Sequence, residues 1–308
     1  MRYAVLFPGQ GSQHIGMGED VFAIRPDLLG ESADRILGWS LREACLNGSA
    51  EDLTRTERAQ PALYAVSYAL FQELSAVVHP PLAAGGHSLG EYTALAAAGA
   101  FTFADGLALV AARGAAMQAA AGVEASGMAA LLGADVEAAE TMVAACRAAG
   151  GKLWIANLNA PGQVVVAGAA ADLEWVVAHG RDFGIRRAVP LDVAGAFHSP
   201  LMAPAAEDVA RALESVHVGG LAFPVLANAT AAPHGGDVVG LLIRQLVSPV
   251  RFAESITSMA ASGAEAFIHV GPGDVTAGMV RRCAPDAEVI VVSRLDQVGE
   301  AAHQVRGS

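Results

Sequence analysis

"GGHSLGEY", Gly85 to Tyr92, decides how this chain is read. Gly86-His87-Ser88-Leu89-Gly90 fits G-x-S-x-G, the pattern of a strained strand-to-helix turn that exposes a serine hydroxyl. Small residues on both flanks let such a turn close. The helix-forming run "EYTALAAAGA" follows at once, so the N–H of Leu89 falls at a helix start, where it can donate to an oxyanion. The bland alternative is a serine in one more glycine loop, since the chain has 34 glycines. The pattern alone is moderately specific, and the helix behind it favours a nucleophile.

Outward from this turn, strand, turn and helix alternate. "YAVLF" (Tyr3–Phe7) is a buried-type strand that stops at Pro8-Gly9. Helices are expected over Ala59–Val78 and Phe103–Ala120. This alternation predicts an α/β fold with a mainly parallel sheet. The middle differs. "GMAALLGA", "VEAAETMVAACRAAG", "LWIANLNAP", "GQVVVAG", "AADLEWVVAHGRDFG" and "RRAVPLDV" give the order βαββαβ. That is the order of a small ferredoxin-like unit, here residues 125–191, inserted into a larger domain formed by 1–124 and 192–308. Beyond it, α/β character resumes with a helix "PLMAPAAEDVARALESV", a strand "FPVLANA", helices "VGLLIRQLV" and "FAESITSMAASG", and a strand "EAFIHVGPG".

The chain has 308 residues, 53% hydrophobic and 16% charged, which is enough apolar material for a large core and argues against disorder. A net charge of -12 argues against non-specific binding to nucleic acid or to an anionic membrane. It leaves room for an acidic partner at a local arginine cluster, drawn from Arg186, Arg187, Arg244, Arg281 and Arg282. Three widely spaced cysteines without a CxxC make a disulfide framework or zinc site improbable and suit a reduced cytosol. No apolar run is long enough for a membrane span, and the N-terminal run is too short for a signal peptide. A cytoplasmic protein is expected.

A nucleophilic serine needs a base. His198, in "VAGAFHSPLM", stands at the end of an expected strand and before a helix, where it could face a site lined by loops. His87 is the weaker candidate, because neighbours on a sharp elbow point apart. No aspartate stands out as a third member, so a dyad oriented by a backbone carbonyl is the economical arrangement. "FPGQGSQ" (Phe7–Gln13) lacks the third glycine of a dinucleotide fingerprint. It could instead aim a backbone N–H, such as that of Gln10, at the carbonyl that Ser88 attacks. Arg113 sits in an otherwise apolar helix beside Leu109, Val110, Ala116 and Met117. A buried arginine there needs an anion, either a protein carboxylate or a carboxylate on the substrate.

These segments, with "QPALYA", "RGAAMQ", "NLNAPGQVVVAG", "SPVRFAESI" and "VGPGDVTAGMV", occur in order over nearly the whole chain. Together they resemble the malonyl-CoA:acyl carrier protein transacylases, both the fatty-acid-synthesis enzyme and the acyltransferases of polyketide synthases. The resemblance implies an α/β-hydrolase-like subdomain interrupted by the ferredoxin-like one. It implies Ser88 as nucleophile, His198 as general base, and the N–H groups of Gln10 and Leu89 as oxyanion hole. Arg113 would hold the free carboxylate of malonyl, with Phe197 and Met117 beside the substrate. The main-chain carbonyl of Arg251 would orient the histidine. Malonyl-CoA would be the substrate, with no cofactor or metal. The phosphopantetheine arm of an acyl carrier protein would be the acceptor, and the enzyme a monomer.

Phe197 would crowd an α-methyl branch. Gly195, where relatives in modular polyketide synthases carry a larger residue, would leave extra room for one. "AFHS" in place of "PSH" leans toward a polyketide role. A hydrolase that clears acyl groups from carrier proteins is the competing reading, against which Arg113 speaks.

Overall fold

Among the described residues, eight strands, in chain order β1 Tyr3–Phe7, β2 Ala83–Gly86, β3 Ser126–Leu132, β4 Leu153–Ala160, β5 Gln163–Ala169, β6 Arg187–Pro190, β7 Ala266–Val270 and β8 Glu288–Val292, divide into two sheets. This computed structural model describes residues 1–307. The first sheet has the order β2-β1-β7-β8 and is parallel throughout. β1 and β7 are its inner strands, and every residue of both is buried. That is why "YAVLF" and "AFIHV" are unbroken apolar runs interrupted only by His269.

The register places the site. Ala4 faces Ala83 and Phe7 faces Gly86, so β1 and β2 end side by side. The Pro8–Gln10 loop and the Ser88 turn therefore leave the same carboxyl edge of the sheet, where open α/β sheets bind ligands. β2 is "AAGG", which carries no strand propensity and cannot be recognised from composition. Its small residues answer a packing demand. A Cβ on Gly86 would overlap the backbone of Gly90, and one on Gly90 would lie 2.9 Å from the Pro8 carbonyl oxygen, so the helix Leu89–Ala97 can press onto the sheet only if glycine stands at both places.

The second sheet is antiparallel in the order β4-β5-β3-β6, covered by the helices Val136–Ala148 and Ala170–His179. Renumbered from its own first strand this is 2-3-1-4, the ferredoxin-like arrangement. Its apolar face closes a small separate core around Leu131, Met142, Val166 and Val176. Its β4 also touches the rest of the chain, with Leu158 N–H donating to the Val250 carbonyl at 2.9 Å. Strand side chains of this sheet, among them Met128, Asn157, Asn159 and Val165, thereby line the cavity that Ser88 shares.

Three expectations need correction. "FPVLANA" is not a strand: only bridges Ala84 to Val225 and Leu226 to Pro233 form, and the chain turns at Ala227–Thr230. Pro224 has no N–H to extend a ladder. "RRAVPLDV" pairs only from Arg187 to Pro190. The helix after His198 is split into a turn of 3₁₀ helix, Pro200–Met202, and Ala203–Leu213, since prolines occupy an early position of each. Residues 19–54, which carried no assignment, fold into five short helices whose apolar positions are too few for a clear period. Among the described residues, no helix is long and apolar enough to cross a membrane.

Candidate active site

Ser88 occupies φ 52°, ψ −103° between β2 and the helix Leu89–Ala97. A β-substituted residue in that region is strained by about 1–3 kcal/mol, and it stays there only if surrounding bonds over-determine it. Here they do. The Ser88 N–H donates to Asn228 Oδ1 at 2.8 Å, and the Ser88 carbonyl accepts from Gln245 Nε2 at 2.9 Å. The strain aims Ser88 Oγ into a cavity of about 360 Å³ between the two sheets.

His198 reaches this oxygen from the far side of the cavity, 110 residues along the chain, with Nε2 at 2.8 Å. It too has a positive φ, 59°. Its Nδ1 lies 2.9 Å from the Gln245 carbonyl. A carbonyl only accepts, so Nδ1 carries the proton and Nε2 is free to accept from Ser88. The orienting carbonyl is thus that of Gln245, and the expectation for Arg251 is corrected. Gln245 is in the last turn of the helix Val238–Leu246, where carbonyls lack helical partners. Arg251 instead caps the start of the next helix, and its carbonyl accepts from Ser255 N–H at 3.1 Å. Asp192 lines the cavity without bonding His198.

Burial, reinforced by the Arg113 charge and opposed by the Gln245 carbonyl, pushes the His198 pKa from its usual 6.5 down to about 3. A base works in its neutral form, so a lowered pKa keeps it competent as pH falls. The second-order rate of Ser88 modification is therefore expected to stay level from about pH 8 to about pH 5. An acid limb centred near 6.5 would contradict this placement. The stability effect has the opposite sense. Below pH 6.5 the unfolded chain binds a proton at this position that the native one refuses, so native stability declines from there toward about pH 3.

Arg113 lies in the helix Phe103–Ala121, which packs closely on Thr56–Ser75 because a Cβ on Gly114 would sit 2.8 Å from the Thr56 carbonyl oxygen. Its side chain is 1% exposed. Nη1 donates to Gln60 Oε1 at 2.6 Å, and Nη2 donates to Gln245 Oε1 at 2.9 Å and Ser88 Oγ at 3.0 Å. The Tyr92 ring is 5.2 Å from the guanidinium carbon. All these acceptors are neutral, and Arg113 makes no ion pair among the described residues. A buried cation without a direct ion pair is costly: burial weakens its hold on the proton, and the charge of Glu91, linked to it only through Gln245, opposes this in part. No protein carboxylate among the described residues bonds Arg113 directly, and the guanidinium lines the cavity.

The remaining assigned residues line the same cavity. Gln10 and Leu89 line the cavity together with Ser88, and neither main-chain N–H has an acceptor among the described residues. The Gln10 side chain is turned away, toward Thr54 and Thr56. Phe197 and Met117 are buried in the wall. His87 bonds Asn159 Oδ1 at 2.8 Å and sets its ring edge to Phe252, so it is part of the wall and not a base. Gly195 is a second correction. A Cβ there would lie 2.9 Å from Ala121 Cα, so the missing side chain makes room for the Arg113 helix, not for a larger substrate.

A model for the acyl transferase domain matches residues 5–300. The chain belongs to the acyl transferase family. This acyltransferase is 40% identical over 296 residues to the malonyl CoA-acyl carrier protein transacylase of Bacillus subtilis, covering 95% of this chain and 93% of that one. It superposes with TM-score 0.94 and 36% identity on the acyl-carrier-protein S-malonyltransferase of Bartonella henselae, over 100% of both chains. A chain of a solved structure described as a type II polyketide acyl carrier protein in complex with its malonyl-transacylase matches with TM-score 0.92 and 33% identity, over 98% of this acyltransferase and 99% of that chain.

Glu91, Asn228, His234 and Gln245 escaped the reading of the acyltransferase's sequence. Glu91 was in plain view inside the motif. The others sit in a misassigned strand, a loop and a helix end, with no local pattern to mark them.

Proposed function

We propose that this acyltransferase moves a malonyl group from malonyl-CoA to the phosphopantetheine thiol of an acyl carrier protein, by way of an ester on Ser88. The observation that carries the reading is the unpaired Arg113 guanidinium, 3.0 Å from Ser88 Oγ. An acyl group that bonds to this oxygen and ends in a carboxylate puts that carboxylate within reach of the fork. Two parallel hydrogen bonds to the guanidinium then fix it.

In the first half, His198 Nε2 takes the Ser88 proton as Oγ bonds to the thioester carbon. The negative oxygen is received by the N–H groups of Gln10 and Leu89, contacts of a kind whose loss costs roughly 10²–10³ in rate. The C–S bond breaks, and His198 returns the proton to the departing coenzyme A sulfur. In the second half, His198 takes a proton from the carrier's thiol, the sulfur bonds to the ester carbon, and Ser88 leaves with the proton restored. Phe197, buried beside His198, crowds an α-branch and favours malonyl over methylmalonyl.

The names of the relatives support this substrate, and the complex with a carrier protein supports the acceptor. Charge supports the acceptor as well. Arg282 stands at the cavity rim, 3.4 Å from Gln163 Oε1, in a chain whose net charge is -12. An acidic carrier has a local positive target there. The test is an intact-mass panel of malonyl-, methylmalonyl- and acetyl-CoA, followed by carrier proteins of fatty-acid and polyketide type. Malonyl is expected to accumulate on Ser88, to persist in buffer, and to leave on addition of a carrier. Equal loading by methylmalonyl would remove the role given to Phe197. Rapid decay without a carrier would make the protein a hydrolase.

A further inference from the structure

Glu91 has no exposed surface, although a carboxylate is among the groups least often buried. It lies on the first turn of the helix that Ser88 starts. Its three bonds all lead to residues that came from elsewhere in the chain. Oε2 accepts from Asn228 N–H at 2.9 Å and from Gln245 Nε2 at 2.6 Å, and Oε1 accepts from His234 Nε2 at 2.7 Å.

The two residues on Oε2 are those that hold the reacting pair. Asn228 Oδ1 receives the Ser88 N–H, and Asn228 Nδ2 donates to the Gly86 carbonyl at 2.8 Å, so this one side chain brackets the elbow. Gln245 spends Nε2 on the Ser88 carbonyl and on Glu91, Oε1 on Arg113, and its main-chain carbonyl on His198. His234 touches neither Ser88 nor His198. Among the described residues its ring makes one hydrogen bond, the one to Glu91, and its side chain too is fully buried.

We infer that Glu91, held in place by His234, is the positioning residue of this centre. Through Asn228 it keeps Ser88 in its strained conformation, and through Gln245 it sets the His198 ring against Ser88 Oγ. The carboxylate suits this task because it accepts several donors at once and has no N–H or O–H of its own to satisfy. Without it, the buried Asn228 main-chain N–H and one N–H of the Gln245 amide would lose their acceptor, and the strained elbow would relax toward ordinary backbone. The inference rests on Ser88 and His198 being the reacting pair proposed above, not on which acyl group they carry.

The test uses two readouts on the whole chain. A fluorophosphonate reports Ser88 nucleophilicity with no malonyl or carrier present, and malonyl-CoA kinetics separate kcat from KM. Glu91→Ala is expected to slow fluorophosphonate labelling by on the order of 10–100-fold, the size set by orphaning buried donors. The loss should fall mainly on kcat, with the KM for malonyl-CoA changing less, since Glu91 does not line the cavity and Arg113 keeps its bond to Gln60. Glu91→Gln, whose amide oxygen can still accept from Asn228 and Gln245, should recover most of the rate.

Should Glu91→Ala not fold, His234→Leu supplies the same answer from a residue that reaches the centre only through Glu91. A loss of about tenfold in labelling is expected, restored by His234→Gln. Folded Glu91→Ala or His234→Leu protein that labels within twofold of the parent overturns the inference, as does a loss confined to KM. Normal labelling of the parent without malonyl transfer would remove the substrate reading, and the slower labelling of the variants would still support this one.

Discussion

Ser88→Ala is expected to abolish transfer, with malonyl incorporation falling by on the order of 10⁴-fold or more. The other hydroxyl among the residues lining the cavity, that of Thr54, makes no hydrogen bond to His198. His198→Ala should approach the same loss, because the two act as one unit and their effects do not add. The double variant is expected to be no worse than Ser88→Ala alone. Radiolabelled or mass-resolved acylation of the purified variants measures this directly. A malonyl adduct on Ser88→Ala protein would move the nucleophile elsewhere and remove the mechanism. The helix Leu89–Ala97 should persist in the variant, since Asn228 and Gln245 bond the main chain of residue 88, not its side chain. Folding and activity are thereby separable.

Arg113→Ala is expected to lower kcat/KM for malonyl-CoA by roughly 10²–10³-fold, the range found when one partner of a buried charge pair is truncated. Acetyl-CoA, which has no carboxylate to place, should lose little, so the preference between the two collapses or inverts. A malonyl rate unchanged by the substitution would sink the role of Arg113. Arg113→Lys should rescue poorly. An ammonium on a flexible stem cannot hold Gln60, Gln245 and a carboxylate in one plane as the guanidinium does. A second consequence has a definite sign. The Arg113 charge helps depress the His198 pKa, so its removal raises that pKa toward 6.5. The acid limb of Ser88 labelling should then shift to higher pH in Arg113→Ala than in the parent. Competition between malonyl- and acetyl-CoA and a pH series on the same protein give both readings.

Much of the reacting centre was legible because its parts sit in short ordered segments with local logic. The elbow needs glycines on each side of Ser88 and a helix behind it, and those demands are met within eight residues. Arg113 is visible as a charge among apolar neighbours. His198 is visible as a histidine where a strand gives way to a helix. The α/β alternation and the βαββαβ insertion follow from apolar runs and their punctuation, which are properties of contiguous chain.

The failures share a different cause. β2 could not be read from "AAGG", because its residues are small to satisfy a helix pressed on it from the other side. Gly195 looked like space for substrate and is space for Ala121, since sequence shows that a side chain is missing but not what fills its place. The histidine's partner was assigned to Arg251 and is Gln245, because any residue has a carbonyl, and only the ending of a helix leaves one free and aimed.

The sequence by itself thus determined which groups react: a serine on an elbow, a histidine to serve it and an arginine kept from water. The tertiary structure alone decided what holds them at 2.8 and 3.0 Å. Those holds are made by Glu91, Asn228, His234 and Gln245, up to 157 residues away from the groups they touch. Hydrogen bonds between distant segments leave no period, spacing or composition in the chain, and they exist only once the β1–β2 register has brought its loops to one edge.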